Sequence, residues 1–196
     1  MTDQYNRPFK PTKDEILAAR GKSLPDVIDA GLKILFVGIN PGLYTAAVGH
    51  HFARPGNRFW PALYRAGFTS RQLSPFEEKE LLAAGYGIVN VVARATARAD
   101  ELSAEEFIAG GVELEKKVRK FRPCFCAFLG MGAYRVAFKR PGAGTGSQEE
   151  RLGGARVWVL PSPSGINASY PMENLVSILR ELRLAVEKEC QKGIRP

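Results

Sequence analysis

The stretch Lys33-Ile34-Leu35-Phe36-Val37-Gly38-Ile39-Asn40-Pro41-Gly42-Leu43 decides the fold of this chain. Its four consecutive apolar residues, Ile34 to Val37, predict a strand that is buried on both faces, as in a parallel sheet. Glycine and proline residues then end the strand and place Asn40 just beyond its carboxyl end. Because ligands of open α/β sheets bind at that end of the strands, Asn40 is a candidate site residue.

Three further apolar runs follow the same pattern and are separated by amphipathic segments. Strands are predicted at 87–92, 124–129 and 156–160, and helices at 73–84, 103–121 and 172–190. This alternation predicts a single three-layer α/β/α domain with a central, mainly parallel, four-stranded sheet. The carboxyl ends of its strands would gather Asn40, the 93–100 loop and the segment Ser162–Asn167 at one edge.

The remaining segments suggest a simple domain organisation. Residues 1–24 are expected to form an N-terminal arm and a short helix, residues 25–190 the main domain, and residues 191–196 a basic tail. The stretch 139–155 is rich in glycine, proline and charged residues, and is predicted to be a mobile loop within the domain.

Composition narrows the class of partner. The 196 residues include 28 Lys and Arg against 20 Asp and Glu, a net charge of +8. Such an excess suits a surface that binds phosphates, which favours nucleic acid as a partner, although a basic soluble protein without such a role has the same charge. Three cysteines without paired spacing and two histidines predict no metal site, and no cofactor motif is complete. The absence of a signal peptide or a long apolar run predicts a cytoplasmic protein.

Several loop residues have two interpretations. Asn40 is either a turn former or an amide that orients a water molecule, since an amide is no general base at neutral pH. Phe52, among histidines and arginines, is either the platform of a base-binding slot or part of a loop core. His50 and His51, as neighbours in a loop, are expected to be solvated. Asp100 is either a catalytic carboxylate or, as we favour, a surface or capping residue.

The segment Ser162-Pro163-Ser164-Gly165-Ile166-Asn167 places one apolar residue between small and polar ones. A wedge that enters a base stack needs an apolar tip on a stiff stem, with small neighbours. The alternative is an ordinary loop with one buried isoleucine. Neither serine is predicted to be a nucleophile, because the G-x-S-x-G pattern is absent.

Three motifs together carry a family resemblance. They are Gly38-Ile39-Asn40-Pro41-Gly42-Leu43, then Phe52-Ala53-Arg54-Pro55-Gly56-Asn57-Arg58-Phe59-Trp60, and finally Leu160-Pro161-Ser162-Pro163-Ser164-Gly165-Ile166. In this order the chain resembles the mismatch-specific uracil/thymine-DNA glycosylases, the Mug and thymine-DNA glycosylase branch of the uracil-DNA glycosylase superfamily. The resemblance extends over residues 25 to 185.

The resemblance implies a monofunctional hydrolase that needs no cofactor or metal. Such an enzyme flips uracil, or thymine or a modified pyrimidine, out of double-stranded DNA, especially opposite guanine. It then hydrolyses the N-glycosidic bond, which starts base excision repair. A monomer associated with a bacterial nucleoid is implied as well.

The resemblance also implies roles for individual residues. Asn40 would hold the attacking water and Phe52 would stack on the base. The base pocket would comprise Gly38, Ile39, Thr45 and Asn90, and the DNA wedge Ser164, Gly165, Ile166 and Asn167.

Two departures from the family pattern bear on specificity. Asn90 stands where some relatives carry lysine, and this asparagine makes the strand end more similar to the thymine-DNA glycosylase version. The run Gly165-Ile166-Asn167-Ala168 replaces the usual bacterial Gly-Leu-Ser-Arg, which predicts a looser preference for guanine.

Two other classes of function stay open: a non-catalytic binder of mismatched or damaged DNA, and a hydrolase of small nucleotides on a similar scaffold.

Overall fold

The computed structural model describes residues 9–165 and 170–191, with side chains to residue 189. The helices are α1 Lys13–Leu17, α2 Leu43–Val48, α3 Phe59–Arg65, α4 Glu80–Ala83, α5 Ala104–Phe121, α6 Met131–Ala137 and α7 Met172–Gln191. The strands are β1 Ile34–Gly38, β2 Tyr86–Asn90, β3 Phe125–Leu129, β4 Gly146–Leu152 and β5 Ala155–Leu160. Two short 3₁₀ turns lie at Pro75–Glu77 and Ala99–Glu101.

The strands form one mixed sheet in the order β2-β1-β3-β5-β4. The first four strands of this order are parallel, and β4 runs antiparallel to β5. The prediction of a mainly parallel sheet is therefore confirmed, but the predicted number of four strands was wrong by one.

The additional strand, β4, lies inside the stretch that was predicted to be a loop. It is an edge strand whose side chains are mostly polar and at least partly exposed, so it lacks the apolar run that marks the other strands. A two-residue turn at Gly153 and Gly154, with φ values of 56° and 101°, joins it to β5. Glycine pairs between strands are a hairpin signal, so the sequence did contain a clue to β4.

Helices cover both faces of the sheet, which β1 shows residue by residue. Ile34 and Phe36 pack into one apolar cluster with residues of α3 and α7, and Leu35 and Val37 into a second cluster with residues of α5 and α6. Since successive side chains of a strand point to opposite faces, the unbroken apolar run is explained by burial on both sides.

The long helices follow their predicted signals. The Ser103 hydroxyl accepts the N–H of Glu106 and the Glu106 carboxylate accepts the N–H of Ser103, the capping box expected at the start of α5. The predicted helix at 73–84 is instead the 3₁₀ turn and the short α4. Pro75 starts the tight turn, and Glu78 directs its buried carboxylate at the backbone N–H of His51, 2.7 Å away.

Candidate active site

A cleft of about 550 Å³ opens at the carboxyl ends of the parallel strands. Its walls come from four loops and two strand ends: residues 39–45, 51–57, 96–100 and 162–164, and Asn90 and Leu129. The predicted convergence of Asn40, the 93–100 loop and the start of the Ser162–Asn167 segment is confirmed. The cleft also has basic residues on its lining, Arg54 and Arg98, both exposed.

The Asn40 amide is held in one orientation by its nitrogen. Nδ2 donates to the Thr96 hydroxyl at 2.7 Å, to the Arg94 carbonyl at 3.0 Å and to the Pro41 carbonyl at 3.2 Å. These contacts occupy both amide hydrogens, whereas Oδ1 has no hydrogen-bond partner among the described residues. Asn40 therefore offers the cleft a fixed acceptor, which is what the orientation of a water molecule requires.

Thr96 makes this arrangement rigid, and sequence reasoning did not single it out. It is 1% exposed, and its hydroxyl also donates to the Arg98 carbonyl at 2.7 Å. Its backbone joins the loop after β1, because its carbonyl accepts the Leu43 N–H at 3.1 Å and its N–H donates to the Pro41 carbonyl at 3.2 Å. Nothing in an isolated Ala-Thr-Ala sequence predicts the contact with Asn40, which lies 56 residues away.

The loop that carries Thr96 is tied in turn to helix α5. The Arg94 guanidinium forms a two-point ion pair with the Glu106 carboxylate. This ion pair, together with the Ser103 backbone N–H, lowers the pKa of Glu106 to about 2. The same arginine supplies the carbonyl that binds Asn40, so a helix cap, an ion pair and the candidate catalytic amide are linked.

Phe52 lies in the cleft wall with one ring face covered. Its ring stacks on Phe59 with centroids 4.1 Å apart and an interplanar angle of 27°. The backbone of Phe52 has φ of 55°, in the left-handed region that non-glycine residues seldom adopt. A bulky residue held there in the cleft lining, with its ring supported by Phe59, is consistent with a platform for a flat ligand.

Gly38 and Asn90 meet at the adjacent ends of β1 and β2, where their α-carbons pair in register. The carbonyls of Gly38 and Ile39 already accept the N–H groups of Val91 and Val92. Any backbone contact of these two residues with a ligand would thus use their N–H groups or a second lone pair. Ile39 also packs its side chain against Gly130, which has no room for a β-carbon.

The expectation that His51 is solvated was wrong, because its side chain is buried and the residue is only 2% exposed. Its ring Nε2 lies 3.0 Å from the Pro25 carbonyl, and its Nδ1 lies 3.5 Å from Asn90 Nδ2. His50, which is half-buried, pairs its Nδ1 with the Glu78 carboxylate at 2.9 Å. The expectation failed because the buried Glu78 binds this loop from across the chain, which turns one histidine inward.

Two further candidates differ in how well they are placed. Thr45 is buried in α2 and lines the cleft, as expected of a residue near a pocket mouth. Asp100 lines the cleft on the 3₁₀ turn, but its exposed carboxylate accepts two hydrogen bonds from Arg98, at 3.2 Å and 2.7 Å. This ion pair fits the interpretation of Asp100 as a surface residue.

The candidate wedge is described only at its base. Ile166 and Asn167 lie outside the described residues. Ser164 lines the cleft, and a β-carbon on Gly165 would lie 2.6 Å from the Gly56 carbonyl, so this glycine permits close packing of two loops. Arg58 joins the same loops, because its guanidinium donates to the carbonyls of Ser164, at 3.1 Å, and Tyr170.

Comparison with known proteins identifies a family and a similar fold. The sequence model of the "Uracil DNA glycosylase superfamily" matches residues 25–183. The chain belongs to the uracil DNA glycosylase superfamily. Among solved structures, this superfamily member is similar to the solution NMR structure of a candidate uracil DNA glycosylase from Methanosarcina acetivorans. The two share 20% identity at a TM-score of 0.57, over 83% of this chain and 98% of that chain.

Two kinds of feature are absent from the described part of the chain. No cluster of three or more His, Cys, Asp or Glu side chains there could hold a metal ion. None of the helices within residues 9–165 and 170–191 has the length and apolar character to cross a bilayer.

Proposed function

We propose that this superfamily member is a monofunctional DNA glycosylase that removes uracil from DNA by hydrolysis of the N-glycosidic bond. The observation that carries the proposal is the Asn40 amide, whose nitrogen is held by three acceptors while Oδ1 remains available in the cleft. Superfamily membership supports DNA as the substrate, and the net charge of +8 suits a polyanion.

The proposed reaction needs orientation more than a strong base. Oδ1 of Asn40 accepts a hydrogen bond from water, whose oxygen attacks C1′ as the C1′–N1 bond breaks. The bonding electron pair leaves with the base, and the water proton passes to solvent. Because the transition state resembles an oxocarbenium ion, a well-placed water is a sufficient nucleophile. No lysine is among the described residues that line the cleft, so no Schiff-base step is proposed.

The part of the cleft lined by Phe52 and Asn90 would hold the base after it is flipped from the duplex. The free face of Phe52 would stack on it, and Asn90 would hydrogen-bond to its polar edge. Gly38, Ile39 and Thr45 complete this pocket. The energy required for flipping is a few kcal/mol and is lowest at a mismatch, which favours uracil opposite guanine.

We further propose membership of the mismatch-specific Mug and thymine-DNA glycosylase branch, with U·G duplexes as substrates. Support comes from the three sequence motifs and from the position of Ser164 and Gly165, the first residues of the predicted wedge, beside the cleft. A monomer in the bacterial cytoplasm, working in base excision repair, is part of the same proposal and stays a prediction.

Single-turnover base release from matched substrates tests the proposal. Duplexes with U·G, T·G or U·A and single-stranded uracil DNA would be compared at one salt concentration. Release from U·G with little from U·A is expected. Equal release from every uracil substrate would support glycosylase activity but contradict recognition of the opposite guanine. Binding without any release would instead identify a non-catalytic DNA-binding module.

The Asn40→Ala variant is the matched control for catalysis. We expect its release rate to fall by more than 100-fold, since loss of an oriented group in a reacting pair has effects of this order. Its affinity for the U·G duplex should change little. An unchanged rate would contradict the proposed role of Asn40. The affinity of the wild-type protein for duplex DNA should also fall steeply as the salt concentration rises. A hydrolase of small nucleotides would not show this dependence.

A further inference from the structure

We infer that His51 is a positioning residue that fixes the orientation of the Asn90 amide and thereby favours uracil over cytosine. The inference rests on the proposed function for its choice of substrate. It depends on a chain of three groups: the Pro25 carbonyl, the His51 ring and the Asn90 side chain.

The first step concerns which ring nitrogen of His51 carries the proton. The Pro25 carbonyl can only accept, and it lies 3.0 Å from Nε2, so Nε2 must be the protonated nitrogen. The carboxylate of Glu78 binds the His50 ring and the His51 backbone N–H rather than the His51 ring. Among the described residues no carboxylate contacts the His51 ring, so Nδ1 keeps a lone pair when Nε2 carries the proton.

The Pro25 carbonyl is itself fixed relative to Asn90. Val27, two residues after Pro25, exchanges two backbone hydrogen bonds with Ile88, at 2.9 Å and 2.7 Å. Ile88 belongs to β2, the strand that ends at Asn90. The His51 ring thus lies between two groups that are anchored to the same strand.

The second step concerns Asn90. Because His51 Nδ1 is an acceptor, the Asn90 amide must direct Nδ2 toward it, at 3.5 Å, the long end of the hydrogen-bond range. Oδ1 then lies over Gly38, 2.5 Å from the position that a β-carbon would take there. One Nδ2 hydrogen remains, so Asn90 offers the cleft a fixed acceptor beside a donor.

This fixed pair distinguishes two bases that differ at one edge. Uracil presents the N3–H donor next to the O4 acceptor, which complements Oδ1 and Nδ2. Cytosine presents an acceptor at N3 next to an amino donor, which is the reverse order. An amide that rotated freely could satisfy either base, so the lone pair on His51 Nδ1 contributes to selection for uracil.

Two substitutions separate the contacts of the histidine ring. In His51→Asn the shorter amide lies near the position of Nδ1 and keeps an acceptor for Asn90. In His51→Gln the longer amide lies near the position of Nε2 and keeps only a donor for the Pro25 carbonyl. The backbone contacts of residue 51 with Glu78 and Trp60 are the same in both variants.

The expected result is that His51→Gln releases uracil about tenfold more slowly than His51→Asn, the rate equivalent of one hydrogen bond. In the Asn90→Ala background the two variants should have equal rates. A merely structural role of the Pro25 contact predicts the reverse order, with His51→Gln the more active and the more heat-stable. Equal rates with Asn90 intact, or a difference that persists without Asn90, would overturn the inference.

A spectroscopic measurement tests the same relay without any activity. The ¹⁵N resonances of the two histidine rings, assigned with His50→Gln, should show His51 as the neutral tautomer with the proton on Nε2. The Nδ1 resonance should shift in Asn90→Ala. A proton on Nδ1 would overturn the inference even if uracil is released. Conversely, if the wild-type protein releases no base, the proposed function is refuted. The spectra alone would then show whether the His51 ring contacts the Asn90 amide as inferred.

Discussion

The Asn90 side chain occupies the space beside Gly38 that a β-carbon would need. An ideal β-carbon on Gly38 would lie 2.5 Å from Asn90 Oδ1 and 3.4 Å from Cζ of Phe52. The two candidate base-binding side chains therefore approach each other over a bare stretch of backbone. The glycine is required by this close approach, since its φ is not in the left-handed region.

Substitution of Gly38 by alanine should damage the site more than the fold. We expect uracil release to be nearly lost, because the Asn90 amide must move away from the new methyl group. The free energy of unfolding should fall by about 1–3 kcal/mol, as for other overpacked sites. Single-turnover kinetics and chemical denaturation measure the two effects. Normal kinetics would show that the Asn90 orientation is unimportant.

Thr96→Val should slow catalysis through Asn40. The substitution keeps the shape of the side chain but removes the hydroxyl that accepts from Asn40 Nδ2 at 2.7 Å. Misplacement of a reacting group by an ångström can lower rates by about 100-fold, and we expect a decrease of that order in base release. Duplex affinity should stay the same. Thr96→Ser is the control and should keep most of the rate, and similar losses in both variants would contradict a role for the hydroxyl.

Phe52→Ala should weaken engagement of the flipped base. Base–aromatic stacking contributes about 1–3 kcal/mol per base, and the ring is already supported on one face by Phe59. The loss should appear in single-turnover release from U·G duplexes, whereas Phe52→Tyr, which keeps the ring, should be close to wild type. Wild-type kinetics in Phe52→Ala would remove this residue from the pocket.

Arg58→Lys should reduce activity on duplexes more than on single strands. A lysine cannot donate from a rigid fork to the carbonyls of Ser164 and Tyr170, which precede and follow Ile166 in the sequence. If Ile166 acts as a wedge, Ile166→Ala should give the same preference for single strands. Release rates from paired and unpaired uracil DNA test this. Equal losses on the two substrates would contradict the wedge.

The ion pair between Arg94 and Glu106 predicts how stability depends on pH. The folded protein lowers the pKa of Glu106 from 4.5 to about 2. The contribution of the ion pair is therefore complete above pH 4.5, the ordinary pKa, and is lost as the pH falls through the folded value. Glu106→Gln keeps an acceptor for the capping box and removes the charge. The free energy of unfolding of this variant should be lower than that of the wild type at pH 6, and the difference should shrink as the pH falls to 2. A difference that does not depend on pH would contradict the lowered pKa of Glu106.

The sequence alone predicted the class of fold and the edge of the sheet at which the cleft lies. The apolar run from Ile34 to Val37 predicts burial on both faces, because a strand alternates its side chains between them. Turn residues after that strand expose Asn40, and parallel strands bring their carboxyl ends together. These patterns are local or depend on the direction of strands, so they can be recognised along the chain.

Only the tertiary structure decided the contacts that orient the site. Strand β4 has no apolar run, since an edge strand needs none, and it is defined by its pairing with β5. Thr96 binds Asn40 across 56 residues, and His51 is buried by Glu78 and joined to Pro25 and Asn90. Such hydrogen bonds depend on which loops meet in space. The chain's local pattern therefore determines which residues reach the sheet edge, and long-range packing determines which atoms of those residues face the cleft.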